Sequence, residues 1–141
     1  MNRIKQPITE FIPQRHPFVM IDTLCEANED FVKTSLHITE NNIFTRNGLF
    51  IESGLIEAMS QTGAAGIGYY CNTNGLAVPI GYIGAIKNLR IHFLPLVNTL
   101  IDIELRIVTK LTNVSIAQAN VKSNGELVAE CELKIFIIQN I

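Results

Sequence analysis

The chain has 141 residues, of which 48% are hydrophobic and 17% charged, and its formal net charge is −2. This length suits one ordinary domain with a real hydrophobic core, so we expect residues 1–141 to form a single domain. The small net charge, without clustered lysine and arginine, argues against a nucleic-acid-binding surface. Because few charged residues are available to cover the surface, we expect part of the apolar excess to lie in the interface of a homo-oligomer.

We expect no secretory signal, no membrane span and no metal site in this sequence. Residues 1–7 contain no apolar stretch of a secretory signal, and the longest apolar run is interrupted by Glu57 and Gln61, which argues against a membrane span. The three cysteines are widely spaced, without the Cys-x-x-Cys pair typical of metal sites: Cys25, Cys71 and Cys131. We therefore expect a cytoplasmic protein with reduced thiols and no bound metal.

The first third of the chain predicts a short helical turn and two strands. Residues 7–11 are expected to form the turn, which Pro13 ends. The continuous apolar run over residues 18–25 predicts a buried strand. After a turn at residues 28–30, apolar and polar residues alternate over 31–38, which predicts a strand with one buried face.

The central part of the chain predicts one long helix, over about residues 49–70. This segment is apolar nearly all round, so the helix must be covered on most sides. The small side chains in its second half permit close contact with a sheet, although each glycine costs ~1 kcal/mol of helix propensity. These residues are Gly63, Ala64, Ala65, Gly66 and Gly68.

The remaining sequence predicts four strands. Residues 78–93 form the first, in which Gly81 and Gly84 indicate bulges or close backbone approach. Strands over 101–107 and 114–122 follow. The pair Asn124-Gly125 then predicts a type I′ hairpin that leads into the last strand, over 127–137. Two strands, one helix and four strands predict an α+β fold, with an antiparallel sheet of about six strands curved around one helix.

Four segments, taken in order, match the pattern of one enzyme family. Residues 12–22 (Ile-Pro-Gln-Arg-His-Pro-Phe-Val-Met-Ile-Asp) are similar to a Pro-His-Arg-x-Pro-Phe-Leu-Leu-Val-Asp segment, and residues 57–61 (Glu-Ala-Met-Ser-Gln) to a helical Glu-Ala-Met-Ala-Gln. Residues 82–95 and 124–131 look like a later strand and the last hairpin. The set resembles the hotdog-fold FabZ-like 3-hydroxyacyl-[acyl-carrier-protein] dehydratases, and it implies a hotdog fold that dimerises as a double hotdog.

The chain departs from this family at the catalytic histidine. The family places that residue in a Gly-His-Phe-Pro-Gly segment before the central helix. Here residues 41–52 (Asn-Asn-Ile-Phe-Thr-Arg-Asn-Gly-Leu-Phe-Ile-Glu) contain no histidine and form a shorter segment. Asn47 or Gly48 falls near the vacant position. A shortened loop without histidine is similar to a divergent dehydratase-like branch found with aryl-polyene and related pigment pathways.

Glu57 is the predicted catalytic residue. Dehydration of a 3-hydroxyacyl thioester needs a base for the C2 proton and an acid for the C3 hydroxyl, and in the family a histidine and a glutamate share these roles across a dimer interface. Glu57 and Gln61 lie one turn apart on a narrow polar seam of an apolar helix, so Gln61 is expected to orient Glu57. The alternative is that Glu57 lies on an exposed stripe.

The other predicted site residues follow from the resemblance. The expected acyl-binding residues line a tunnel or occupy the vacant histidine position: Phe18, Met20, Ile56, Met59, Ile83, Asn47 and Gly48. Lys87 and Arg90 are expected either to contact an acidic carrier protein or to be ordinary solvated charges. His16 and His37 are poor substitutes for the missing histidine.

Three functions are compatible with the sequence. The chain is an active divergent dehydratase, a catalytically silent hotdog subunit that pairs with an active dehydratase or binds acyl chains, or a hotdog acyl thioesterase. No bound cofactor is expected, since the substrate is carried on phosphopantetheine. The expected partners are an acyl carrier protein or acyl thioester and either a second copy of the chain, a higher homo-oligomer or a different hotdog subunit, with no nucleic acid and no membrane.

Overall fold

One long helix packs against a six-stranded antiparallel sheet in the computed structural model, which describes residues 4–138. This confirms the predicted α+β architecture. The elements, in chain order, are a 3₁₀ turn (Ile8–Glu10), β1 (Thr23–Ala27), β2 (Phe31–His37), β3 (Thr45–Arg46), β4 (Leu49–Phe50), α1 (Glu52–Thr73), β5 (Ile80–Ile91), β6 (Leu100–Lys110), β7 (Val114–Ser123) and β8 (Glu126–Ile138). The large sheet has the order β1-β2-β6-β7-β8-β5, so β1 and β5 form its edges, and β3 pairs with β4 separately.

The inward face of the sheet and the helix enclose the core. Alternate residues of β6 and β8 point inward and are buried, which follows the period of two of a β-strand. They include Ile101, Ile103, Leu105, Ala129, Cys131 and Leu133. On the outward face the register sets opposite charges side by side, as in Asp102 opposite Lys122 and Lys33 opposite Glu104. The sheet therefore separates an apolar core from a charged outer surface.

Glycines in α1 let it lie close to its neighbours. A Cβ atom at Gly66 would come within 2.5 Å of the Val32 side chain in β2, and one at Gly68 would overlap the backbone oxygen of Phe11. These contacts confirm that small residues permit close packing of the helix. No helix within residues 4–138 is long and apolar enough to cross a membrane.

The strand predicted over residues 18–25 begins only at Thr23. The backbone oxygen of Phe18 and the backbone nitrogen of Met20 bond to the side chain of Gln61 and not to a neighbouring strand. An apolar run does not distinguish a strand from an extended segment that a side chain holds, so the predicted start is too early.

A short hairpin occupies the residues before α1, so the helix begins later than predicted. β3 and β4 are joined by Asn47 and Gly48, whose φ angles of 55° and 77° are both positive, as a type I′ turn requires. The helix therefore begins at Glu52 and not at residue 49. The same dipeptide forms the predicted hairpin at Asn124 and Gly125, with φ angles of 51° and 77°.

The edge strand β5 is irregular. A register shift occurs at Gly84, where a Cβ atom would overlap the ring of Phe136, and this confirms the bulge predicted there. Gly81 pairs in regular register, so it does not form a bulge, and a Cβ atom there would lie 3.6 Å from the backbone oxygen of Phe136, which is an ordinary contact and not a close approach. A second shift lies between Lys87 and Arg90.

Candidate functional site

A cavity of about 1030 Å³ lies between the N-terminal segment, α1 and β5. Residues 9–15 form one wall and residues 78–86 another. The helix contributes residues spaced three or four apart, which therefore share one face: Ile56, Glu57, Ser60, Ala64 and Ile67. The cavity is mostly apolar, with a few polar groups on the helix face and in the N-terminal segment.

Glu57 lines this cavity and is hydrogen-bonded by Gln61, one helical turn later. Nε2 of Gln61 donates to Oε1 of Glu57 at 2.8 Å. The same nitrogen donates to the backbone oxygen of Phe18 at 2.7 Å, and Oε1 of Gln61 accepts from the backbone nitrogen of Met20 at 2.7 Å. The Gln61 side chain therefore joins the helix, the segment before β1 and the Glu57 carboxylate.

The backbone fixes the orientation of the Gln61 amide. The Met20 N–H can only donate and the Phe18 carbonyl can only accept, so Gln61 must present Oε1 to the first and Nε2 to the second. Gln61 is fully buried, where an unpaired polar group would cost about 1–3 kcal/mol. The second Nε2 hydrogen then reaches Glu57. Within residues 4–138, Oε2 of Glu57 has no hydrogen-bond partner.

Ser60 and Arg15 are further polar groups of the cavity wall. The Ser60 hydroxyl donates to the backbone oxygen of Ile56 at 2.9 Å, so toward the cavity it can only accept. Arg15 carries a permanent positive charge, and its Nη1 donates to the backbone oxygens of Ile12 and Gln14, both at 2.8 Å.

Histidine and metal-binding groups are missing from this site. None of the cavity-lining residues that the structure describes is a histidine. In the same part of the chain, no group of three or more His, Cys, Asp or Glu could hold a metal ion. The wall thus offers one carboxylate on the helix, Glu57, and one cation, Arg15, as its main charged groups, together with Glu10 at the 3₁₀ turn.

The predicted acyl-binding side chains divide between the cavity wall and the core. Ile56 and Ile83 line the cavity. Met20 and Met59 do not: they are 1% and 0% exposed and lie in the core. Phe18 is 56% exposed but is not part of the wall either. An apolar pattern predicts burial without telling which buried side chains border a cavity.

Asn47 and Gly48 lie away from this cavity. As the turn between β3 and β4, they border a smaller pocket of about 340 Å³ together with Glu40 and Arg46. The backbone nitrogen of Val97 donates to the Gly48 oxygen at 2.9 Å, which fixes the turn against the segment before β6. The structure therefore does not bring the vacant histidine position to the same cavity as Glu57.

Lys87 and Arg90 lie on the outward side of β5, each opposite an acid of β8. Lys87 pairs in register with Glu132, and Arg90 with Glu130. The ring of His92 also approaches Glu130, at 3.1 Å. The negative charges of these acids lower the positive electrostatic potential at Lys87 and Arg90, the two residues predicted to contact a carrier protein. Of the other histidines, His16 and His37 are exposed and border neither pocket.

Arg15 and Ser60 are not among the predicted site residues, although signals for both are present. Arg15 belongs to the segment over residues 12–22 that carries the family resemblance, and Ser60 follows Glu57 by three residues on the helix. Only the folded chain shows that both border the same cavity as Glu57.

Comparisons with known proteins point to one family. The model of the ApeP-like family, described as ApeP dehydratase, matches residues 6–141. A curated relative, the 3-hydroxyacyl-[acyl-carrier-protein] dehydratase FabZ of Clostridium botulinum (strain Loch Maree / Type A3), is 27% identical over 138 residues, which cover 93% of this chain and 92% of that protein.

Solved structures of similar architecture support the predicted hotdog fold. A chain of the dehydratase heterocomplex ApeI:P from Xenorhabdus doucetiae superposes with a TM-score of 0.89 at 13% identity, covering 97% of this chain and 94% of its own. A hypothetical thioesterase with coenzyme A from Streptococcus pneumoniae TIGR4 gives a TM-score of 0.66 at 10% identity, with coverages of 82% and 84%. At these identities the likeness concerns the fold alone.

Proposed function

The chain belongs to the ApeP-like dehydratase family, and on this basis we propose that it acts on, or binds, 3-hydroxyacyl thioesters held by an acyl carrier protein. It is a dehydratase-like hotdog protein. The proposed pathway is fatty-acid or polyene-type biosynthesis. The observation that supports the proposal best is the Glu57 carboxylate, held by buried Gln61 at the wall of a large apolar cavity.

In this proposal Glu57 makes one of the two proton transfers of the dehydration. A proton leaves C2, the C3 hydroxyl departs as water, and a C2–C3 double bond forms. Oε2 of Glu57 has no partner among the described residues, so it is the oxygen that makes this transfer, by taking the C2 proton or by protonating the departing hydroxyl, and a second catalytic group makes the other transfer. Gln61 is a positioning residue, because its hydrogen bond to Oε1 fixes which oxygen is left for the reaction.

The second catalytic group is proposed to come from a partner chain. The described cavity wall contains no histidine. The cavity borders β5, whose outer edge pairs with no other described strand, so a chain that paired there would lie beside the cavity. A solved structure of similar fold is a dehydratase heterocomplex. The second candidate function is the same arrangement for this chain, as one subunit of a heterocomplex. The chain would then have little or no activity by itself.

The acyl chain is proposed to lie against the apolar wall that includes Ile56 and Ile83. Each CH₂ group buried there would contribute about 0.8 kcal/mol to binding. Met20 and Met59 would support this wall from the core without touching the substrate. The substrate would arrive on the phosphopantetheine arm of a carrier protein docked near Lys87 and Arg90, and the reaction would need no bound cofactor.

Replacement of Glu57 by Gln tests the catalytic assignment. Purified protein is incubated with 3-hydroxyacyl and 2-enoyl carrier-protein thioesters, and the loss or gain of one water is followed by mass spectrometry. We expect Glu57→Gln to lower turnover by about 10²–10⁴-fold. The matched control is Glu52→Gln, at the exposed start of α1 outside the cavity wall, which should keep its activity.

The outcomes separate the candidate functions. Undiminished turnover in Glu57→Gln would remove Glu57 from the mechanism. Release of free acid would favour a thioesterase. If the thioester is returned unchanged, the silent-subunit function takes the lead, and co-purification from the native cell should then recover a second hotdog chain with the missing histidine. Recovery of a homodimer only would count against that partner.

A further inference from the structure

The described wall of the cavity holds one group that can both take and return a proton near the start of α1. Four lining residues carry titratable side chains, and one of them, Glu57, lies on the cavity face of the helix. Gln61 holds its Oε1, and Oε2 has no hydrogen-bond partner among residues 4–138. The position or the charge of each of the other three keeps it from sharing the chemistry with Glu57: Glu10, Arg15 and Tyr82.

Glu10, the other carboxylate of the wall, lies near the opposite end of α1. Its backbone oxygen accepts from Nδ2 of Asn72 at 2.9 Å, and its side chain is exposed. Asn72 follows Glu57 by fifteen residues on the helix, which at 1.5 Å per residue is about 22 Å along the helix axis. The two carboxylates are therefore too far apart to act on the same carbon atoms of a substrate.

Tyr82, Arg15 and Ser60 do not supply a second proton-transfer group either. The Tyr82 ring stacks on Phe136 of β8 with ring centroids 5.3 Å apart, on the outward face of the sheet, so its hydroxyl lies on the side away from α1. The Arg15 guanidinium is always protonated and cannot accept a proton. The Ser60 hydroxyl already donates its one proton to the backbone oxygen of Ile56 at 2.9 Å. Glu57 therefore has no second acid or base beside it in the part of the wall that the structure describes.

Dehydration needs two proton-transfer groups, whereas migration of a double bond within an enoyl thioester needs only one. In a 3-enoyl thioester, a base takes a proton from C2, and the electron pair that is released spreads over C2, C4 and the carbonyl oxygen. The same group then returns the proton to C4, so the C3–C4 double bond becomes a C2–C3 double bond. The reverse reaction follows the same path. The two thioesters have the same atoms and the same number of electrons, so no co-reactant is needed.

We propose that the chain by itself interconverts 3-enoyl and 2-enoyl thioesters, with Glu57 as the one catalytic residue. Oε2 carries the proton between C2 and C4, which are both bonded to C3 and therefore lie within reach of one carboxylate oxygen. Gln61 holds Oε1 during both transfers. This isomerase activity is additional to the proposed dehydration. It rests on the proposed function only because it assumes a thioester substrate in the same cavity.

The position of the double bond tests the proposal. The full chain, purified without a partner, is incubated with a 3-hexenoyl carrier-protein thioester, because conjugation with the carbonyl favours the 2-enoyl product. Proton NMR of the released acyl group follows the double bond, and mass spectrometry detects any gain of water. We expect the 2-enoyl thioester to form without a change in mass. A 2,2-dimethyl-3-enoyl thioester, which has no hydrogen on C2, is the matched substrate control and should not react.

Variants assign the activity to Glu57. Glu57→Gln should slow the isomerisation by about 10²–10⁴-fold, since an amide does not accept the proton. Glu57→Asp keeps the carboxylate but withdraws it by one CH₂ group, and should slow the reaction by about 10²-fold. Glu52→Gln, outside the cavity wall, is the matched control and should keep the activity. Circular dichroism verifies that each variant folds, and Glu57→Asp serves if Glu57→Gln does not.

A double bond that stays in place with the unmodified chain would overturn the isomerase proposal, and so would an isomerisation that Glu57→Gln does not slow. Isomerisation that depends on Glu57, without loss of water from a 3-hydroxyacyl thioester, would uphold the isomerase while the proposed dehydratase activity of the isolated chain fails. Loss of water without movement of the double bond would uphold the dehydratase and overturn the isomerase.

Discussion

At the scale of single residues, Gln61 organises the site more than any other side chain. It satisfies one backbone donor and one backbone acceptor of the segment before β1 and still reaches Glu57. Because all of this occurs in a fully buried position, a change at residue 61 affects the stability of the fold and the position of the carboxylate together.

Replacement of Gln61 by Ala should destabilise the protein by about 2–5 kcal/mol, since it leaves the Met20 N–H and the Phe18 carbonyl buried without partners. The free energy of unfolding is measured by urea denaturation. The control is Gln118→Ala, an exposed residue whose Nε2 lies 3.3 Å from Glu132; this change should stay within about 0.5 kcal/mol. Similar losses in both variants would contradict the importance of the Gln61 network.

The buried thiol of Cys131 makes the stability of the fold depend on pH in the alkaline range. Burial raises the pKa of its thiol from 9.0 to about 11. The folded state therefore holds the thiol proton more tightly than the unfolded state does. The associated stability is complete below pH 9 and is lost as the pH rises through about 11.

Between pH 9 and pH 11, this chain should lose on the order of 2 kcal/mol more stability than Cys131→Ala does. Urea denaturation at several pH values measures the difference. The comparison is made in a Cys71→Ala background, because burial also raises the pKa of the Cys71 thiol. Parallel pH profiles of the two proteins would contradict the expected effect.

At the scale of secondary-structure elements, the packing of α1 depends on what its glycines touch. Gly68 faces the backbone oxygen of Phe11, which cannot move without shifting the N-terminal wall of the cavity. A Cβ at Gly63 would instead meet the tips of Ile135 and Leu105 at 3.3 and 3.4 Å, and such tips can shift slightly.

Gly68→Ala should therefore destabilise the fold by about 1–3 kcal/mol, although alanine is the better helix former by about 1 kcal/mol. Gly63→Ala, the matched control, should be nearly neutral, because the gain in helix propensity offsets a slight displacement of flexible side chains. Thermal and urea unfolding measure both. A stabilised Gly68→Ala would show that the N-terminal segment yields easily.

The sequence predicts the types of the secondary-structure elements better than it predicts where they begin or which residues line the cavity. The long helix and the alternating strands follow from patterns of period 3.6 and 2, which local chemistry imposes. The start of β1 does not, because Gln61, more than forty residues later, holds the preceding segment. Glu57 and its partner Gln61 could be predicted because both lie on one helix. The position of Arg15 could not, because it depends on how residues 9–15 fold over that helix.

At the scale of the whole molecule, β5 is the exposed edge of the sheet beside the cavity. Ile80, Tyr82, Ile86 and Leu89 on this strand are all at least 39% exposed. An unpaired edge with exposed apolar side chains favours pairing with another chain. We therefore expect a dimer through β5, with the cavity beside the interface.

Light scattering at micromolar concentration should give the mass of a dimer. Ile86→Lys, on β5, should shift the population toward monomer, because it places a charge in the expected interface. Val108→Lys is the control, since Val108 is a similarly exposed apolar residue on β6, away from the sheet edges. A monomer for the unmodified chain would exclude the edge-paired dimer at that concentration.

The Gln61 network also constrains how this sequence can diverge. The side chain of residue 61 binds backbone atoms of residues 18 and 20, so the network makes no demand on the side chains at those two positions. The network therefore leaves the side chain of exposed Phe18 unconstrained, whereas Met20 is constrained by core packing and by its sulfur, which accepts from Nδ2 of Asn42 at 3.4 Å. Glutamine at position 61 has no such freedom, because no other residue supplies an acceptor and two amide donors at that reach.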